Sequence, residues 1–249
     1  MPAKETLIER WTPKSGLITT TEYSERKRSI KMENDEYILG DAFENLKNIE
    51  DESVDLVFTS CPDLSQTPFT KSEIPDYQAF QKKAIDEFTR IVKPDGFIVV
   101  CQTDRRVNGS ILANHMHYAK CLEDNNLTLK DYKIVVRNEI GKRDMYYFTF
   151  QHMLIYTKSG TIIRKGDWLK DIIVDKQDKV LNQSVWSNTF CKYVIENLTE
   201  PGNLVVDPFC GVGPVLYAAK ETNRRYWGCE IEPKFYDPTF SNLKNSLPI

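Results

Sequence analysis

The densest group of residues able to do chemistry is Asp207-Pro-Phe209-Cys-Gly211-Val-Gly213. An apolar run, Leu204-Val-Val, leads into it, and a stretch of helical spacing, Val215 to Lys220, leads away. Glycines at 211 and 213 let the backbone approach a ligand in conformations closed to other residues. The next apolar run ends at Glu230, 23 residues after Asp207. A carboxylate placed there can accept both hydroxyls of a ribose. A third glycine at dinucleotide spacing is missing, and so is the Lys-Ser/Thr pair of a phosphate loop. The pattern therefore implies a ligand with a ribose and no pyrophosphate, and S-adenosylmethionine fits that description. A tight structural turn would explain the glycines alone. It would not explain the two acids at strand ends.

A second group lies upstream. Ile38-Leu-Gly40-Asp41 precedes a helical stretch. Val54-Asp-Leu-Val-Phe-Thr then runs into Ser60-Cys61-Pro62-Asp63. Around these groups, short apolar runs at 37–39, 54–58, 97–101, 133–136, 148–156, 204–206 and 226–229 alternate with helical spacing such as Tyr77 to Val92. Such alternation predicts an α/β fold with a mainly parallel sheet. The runs 133–136 and 148–156 leave little room for a helix and predict an antiparallel hairpin with a long connection, 138–147.

In this order of motifs the chain resembles the beta-type (permuted) DNA amino methyltransferases, which act on adenine N6 or cytosine N4. The resemblance covers about residues 35 to 245. It implies a Rossmann-like class I methyltransferase sheet of seven mostly parallel strands with one antiparallel hairpin, in permuted motif order. It implies S-adenosylmethionine as cofactor, contacted by Asp207, Phe209, Gly211 and Gly213, with Glu230 on its ribose and Asp41 near its adenine. Ser60 and the carbonyl of Cys61 would accept the hydrogens of the target amino group, with Pro62 and Asp63 completing the loop. Three positions depart from the family pattern. Cys61 replaces a proline. Asp63 replaces the aromatic that stacks on the extruded base. Gly-Val-Gly-Pro replaces Gly-Ser-Gly-Thr. Phe69 is a candidate to stack instead, and Gln66-Thr-Pro-Phe69 offers a rival alignment. Asp63 is also a candidate to hydrogen-bond a base edge. A catalytically degenerate subunit and an RNA amino methyltransferase stand as alternatives, and the target base is left open.

The chain has 249 residues and a formal net charge of -3, with 33 Lys plus Arg against 36 Asp plus Glu. That balance excludes strong overall attraction to nucleic acid, so contact with DNA must be local. Arg105 and Arg106 past the run 97–101, and Lys142 and Arg143 beside Tyr146 and Tyr147, are the candidates for it. Residues 1–34 read as a polar arm, and 35–249 as the methyltransferase domain. Short recognition insertions are expected at about 105–132, 138–147 and 158–190. So little recognition sequence calls for a short site, a second copy or a partner subunit. Six dispersed cysteines without a CxxC read as reduced thiols of an intracellular protein. No signal peptide or membrane span is expected. Three histidines without a close cysteine give no zinc signature, so no metal is expected, and His152 reads as structural.

Overall fold

The computed structural model describes residues 35–137, 148–159, 170–181 and 183–244. In chain order these form β1 (Glu36–Leu39), α1 (Ala42–Leu46), β2 (Val54–Thr59), α2 (Ile74–Ile91), β3 (Val92–Gln102), β4 (Arg105–Val107) and β5 (Ser110–Leu112). There follow α3 (Asn114–Asp124), β6 (Thr128–Arg137), β7 (Phe150–Thr157), β8 (Ile172–Asp175), β9 (Asp178–Val180), β10 (Gln183–Val185) and α4 (Asn188–Leu198). The chain ends in β11 (Leu204–Asp207), α5 (Pro214–Glu221), β12 (Arg225–Glu230) and α6 (Ser241–Lys244). All seven apolar runs become strands of one sheet, in the order β1-β12-β11-β2-β3-β7-β6-β8.

The five strands β1, β12, β11, β2 and β3 pair in parallel. β7 is antiparallel to both β3 and β6, which is the expected hairpin. The sheet has eight strands rather than seven, because Ile172–Asp175 adds β8 in parallel to β6. Ile172 and Val174 stay exposed while Ile173 and Asp175 are buried. A half-exposed edge strand of four residues gives a weak apolar signal. Two small hairpins, β4–β5 and β9–β10, were also not anticipated.

Alternate residues of the central strands supply two cores, as a pleated sheet with both faces covered requires. Val57, Ile98, Val100 and Val206 meet Ala84, Ile85 and Phe88 of α2 and Leu122 of α3. Leu56, Phe58, Val99 and Val205 meet Val194 and Ile195 of α4 and Val215 and Ala219 of α5. All six cysteines are buried free thiols. No described helix is long and apolar enough to cross a membrane.

One glycine fixes how closely α5 can approach the sheet. A Cβ on Gly228 would stand 2.4 Å from Leu216 Cδ1 and 3.1 Å from Cys210 Sγ. Gly228→Ala is therefore expected to cost about 1–3 kcal/mol through overpacking. Thermal unfolding should show it as a melting point lowered by several degrees.

Candidate active site

Parallel strands place their carboxyl ends on one edge. Here five adjacent strands each deliver a polar group there. Asp41 follows β1, Glu230 ends β12, Asp207 ends β11, Ser60 follows β2 and Gln102 ends β3. All five line one cavity of about 790 Å³, together with Cys61, Pro62, Asp63, Phe209, Gly211 and Arg105. The two motif groups are far apart in sequence but adjacent in the sheet. Thr59 Oγ1 donates to Asp207 Oδ1 at 2.7 Å and ties them together.

The glycine loop is held from behind. Tyr37 donates its hydroxyl to the Gly211 carbonyl and, at 3.2 Å, to the Phe235 carbonyl. Cys210 N–H donates to the Cys229 carbonyl at 3.1 Å. Gly211 has a φ of 55°, and a Cβ there would meet nothing within 4 Å, so its backbone faces open cavity. Gly213, expected to contact the cofactor, stands at the start of α5. It caps α5 with a φ of 83°, and a Cβ there would lie 3.0 Å from Phe240 and 3.4 Å from Tyr37. It does not line the cavity, and its glycine serves the turn and the packing behind it.

Burial raises the Asp207 carboxyl to about 7, against the pull of the Thr59 hydroxyl and the Phe209 amide. Burial likewise raises Glu230, whose Oε1 accepts the Glu232 N–H at 2.7 Å. Asp41 caps α1 by accepting the Glu44 N–H at 3.1 Å. The rings of Phe43, Phe80 and Phe209 meet one another at 5.4–6.2 Å, and Lys83 Nζ stands 4.1 Å above Phe43. All four side chains border the cavity.

These residues fit S-adenosylmethionine. A carboxylate at the end of β12 suits a ribose diol. The aromatic group suits an adenine ring. The acid at the end of β11 suits a cationic amino-acid end. Gly211 leaves room for close approach. The sequence identified the acids, Phe209 and the loop. Phe43, Phe80 and Lys83 lie on helices with ordinary amphipathic spacing and could not be singled out.

Ser60 Oγ donates to Gln102 Oε1 at 3.2 Å. Gln102 is buried and was missed, because only the pairing of β2 with β3 puts it beside Ser60. The Cys61 thiol is buried and pushed up to about 12 by that burial, so it is protonated and packs as an apolar group. Tyr77 Oη donates to the Pro62 carbonyl at 3.2 Å and pins the loop.

Asp63 is buried, and its carboxylate pairs with Nε and Nη2 of Arg105. Arg105 is thus engaged with the loop itself. Phe69 packs into a small core with Leu64 and Tyr77, its ring 6.2 Å from Phe80 and 6.3 Å from Tyr77. It also borders the cavity that Ser60 lines. Arg106 is exposed, 6.0 Å above the Phe148 ring, and outside the cavity. Lys142, Arg143, Tyr146 and Tyr147 lie outside the described residues, as do residues 1–34.

Asp104, His115 and His152 bring ligating atoms within 4.8 Å of one another. The two imidazoles stack at 3.7 Å with planes 10° apart, so their in-plane lone pairs run parallel and do not converge on one ion. His115 Nδ1 lies 2.8 Å from Asp104 Oδ1, and Tyr132 Oη 2.6 Å from His152 Nδ1. Asp104 Oδ2 lies 3.4 Å from His152 Nε2, so one carboxylate bridges the two stacked rings.

Residues 54–241 match the family model described as DNA methylase, of the N6/N4 type. The type II methyltransferase M.BglII of Bacillus subtilis is 24% identical over 244 residues, covering 82% of this chain and 67% of that protein. M.HinfI of Haemophilus influenzae is 24% identical over 249 residues, covering 84% and 68%. Among solved structures, the cytosine-N4-specific PvuII DNA methyltransferase superposes with a TM-score of 0.69 at 18% identity, covering 85% of this chain and 89% of that one. The M1.HpyAVI–SAM complex superposes at 0.61 with 22% identity, covering 84% and 97%. The family match takes in Ser60, Asp207 and Glu230 and extends over most of the chain, so the protein belongs to the N6/N4 DNA methylase family.

Proposed function

We propose that this chain transfers a methyl group from S-adenosylmethionine to an exocyclic amino group of a DNA base, with Ser60 as the acceptor that orients the amine. One observation carries this reading. The acids that suit the cofactor and the serine that suits the amine face the same cavity from adjacent parallel strand ends.

An aromatic amine is a weak nucleophile because its lone pair is delocalised into the ring. Ser60 commits its own proton to Gln102, which turns its oxygen lone pairs toward an incoming N–H. The Cys61 carbonyl is the second acceptor implied by the family resemblance. Holding both hydrogens favours a pyramidal nitrogen whose lone pair points along the line of attack. The bound cofactor supplies a methyl group on a cationic sulfur. The amine nitrogen held at Ser60 would take that methyl group, the S–C bond electrons leaving with the sulfur as the N–C bond forms. The acidic ammonium that results loses its extra proton to solvent. The Ser60–Gln102 contact and the Thr59–Asp207 bond keep amine and cofactor sides in fixed register through the step.

Gln151, Gln177, Gln183 and Ser184 border the far side of the cavity, the last two from β10. Gln177, Gln183 and Ser184 support a reading of the expected 158–190 insertion as a short recognition element. Arg106 supports local phosphate contact beside it. A second copy or a partner subunit would supply the rest.

The test is transfer of labelled methyl from S-adenosylmethionine to mixed DNA, with RNA in parallel. Digested nucleosides are then resolved into N4-methylcytosine and N6-methyladenine. Label in one of these DNA nucleosides is the expected result. Label confined to RNA, or cofactor binding without transfer, would overturn the proposal.

A further inference from the structure

The β4–β5 hairpin begins three residues after β3 ends at Gln102, and Arg105 of its first strand borders the cavity. It is short and stiff. Arg105 pairs with Leu112, Arg106 with Ile111 and Val107 with Ser110, which leaves a two-residue turn at Asn108 and Gly109. Their φ values of 49° and 81° are both positive, as a type I′ turn requires, and the twist of such a turn matches that of the strands it joins. Directly opposed residues share a face of the ribbon, so its two faces are distinct. Val107 and Leu112 pack on the small core of Leu64, Phe69 and Tyr77, and Arg105 on the same face is engaged with Asp63. That face is fastened to the segment that follows Ser60. The other face carries Arg106 and Ile111 as an opposed pair, both exposed, Ile111 by 52%.

An isolated exposed isoleucine is ordinary on a protein surface. This one is fixed on a rigid ribbon, opposite a cation, at the rim of the cavity that holds Ser60. Residues 105–112 contain two arginines and no acid in a chain of net charge -3, so the ribbon suits a polyanion. Among the described residues no carboxylate pairs with Arg106. The outer face spans two strands of three residues, far less than the roughly 800 Å² per partner that a stable protein interface buries. A duplex groove, in contrast, admits a two-stranded ribbon. A base that leaves its stack opens a flat apolar slot, and apolar side chains such as isoleucine are what proteins insert between base steps. With the turn and the anchor already formed, insertion has only a side chain to order.

We propose that the outer face of the β4–β5 hairpin enters duplex DNA beside the target, with Ile111 as a wedge in the slot that the extruded base vacates and Arg106 on the adjacent phosphate. The inference rests on the reading that the cavity receives a base from a DNA duplex. It gives this surface DNA as its partner and makes the hairpin the device that keeps the base from returning to its stack.

Fluorescence anisotropy with end-labelled duplexes of mixed sequence tests it, each with S-adenosylhomocysteine present. One duplex is intact. The other carries a single abasic site, which offers the slot already open. The native protein should bind the abasic duplex roughly tenfold more tightly. Ile111→Ala should lose most of that preference, and Ile111→Leu should keep it. Arg106→Ala should weaken binding to both duplexes alike and lower the slope of log affinity against log salt by about 1. Melting curves of the variants should coincide with the native one, because the side chains are exposed. Equal binding of both duplexes by the native protein, binding of neither, or an unchanged preference in Ile111→Ala would overturn the wedge. A lower sedimentation mass in Ile111→Ala with DNA binding unchanged would give the surface to a second copy instead. Methyl transfer to mixed DNA is measured alongside. A native protein that shows the Ile111-dependent preference but transfers no methyl group defeats the amino-methylation reading and leaves the wedge standing. A protein that transfers methyl groups, with Ile111→Ala matching it in both assays, defeats the wedge alone.

Discussion

Ser60→Ala is expected to lower kcat for methyl transfer by about two to three orders of magnitude, the usual cost of removing one preorganised polar group at a reacting centre. Affinity for S-adenosylmethionine should stay within about twofold, because the lost interaction is made to the amine in the transition state and not to the cofactor. The geometry makes the split specific. Ser60 touches Gln102 at the end of β3, while the cofactor-side acids stand on β11 and β12. Gln102→Leu removes the group that holds the serine proton while Ser60 remains. It should lower kcat by about tenfold, a partial version of the same loss. Single-turnover rates with calorimetric cofactor binding check both. Equal losses of rate and cofactor affinity in Ser60→Ala would remove Ser60 from its role.

The sequence was most informative where burial is two-sided. Strands such as Val54–Thr59 and Leu204–Asp207 are covered on both faces and read as continuous apolar runs. Their ends could be located to within a residue or two, which put Ser60, Asp207 and Glu230 at the carboxyl edge of the sheet. The contacts that complete the site were hidden because they depend on strand adjacency. Gln102 and Arg105 acquire meaning only when β3 lies against β2, 42 residues from their partners. The departure at Asp63 is visible in the sequence, but its partner is not. Gly213 carries a demand that the motif alone does not show: its φ and the nearness of Phe240 impose a packing requirement. Short edge pieces such as β8 to β10 were missed because three or four half-exposed residues carry no periodic signal.

Asp207 gives the second large effect, and its direction with pH is fixed by burial. Its carboxyl titrates near 7 in the cofactor-free protein, above its ordinary range, because burial outweighs the hydrogen bonds from Thr59 and Phe209. Below that pH the group is mostly neutral and offers a cationic ligand little. Cofactor affinity should therefore rise with pH through about 7. Below it, affinity should fall by up to about tenfold per unit if binding demands the ionised form. Asp207→Asn should bind more weakly at every pH and lose this slope. Stability without cofactor runs the other way. The folded state holds a proton that the unfolded chain releases near the ordinary carboxyl value. The contribution of Asp207 to stability is thus fully present below the unfolded value and is lost as pH rises through about 7. Above that pH, Asp207→Asn should melt at a higher temperature than the native protein while binding cofactor less well. Calorimetry between about pH 5.5 and 8.5, with melting curves at the same points, measures both slopes. Two slopes of the same sign would mean that Asp207 does not face the cationic end of the cofactor.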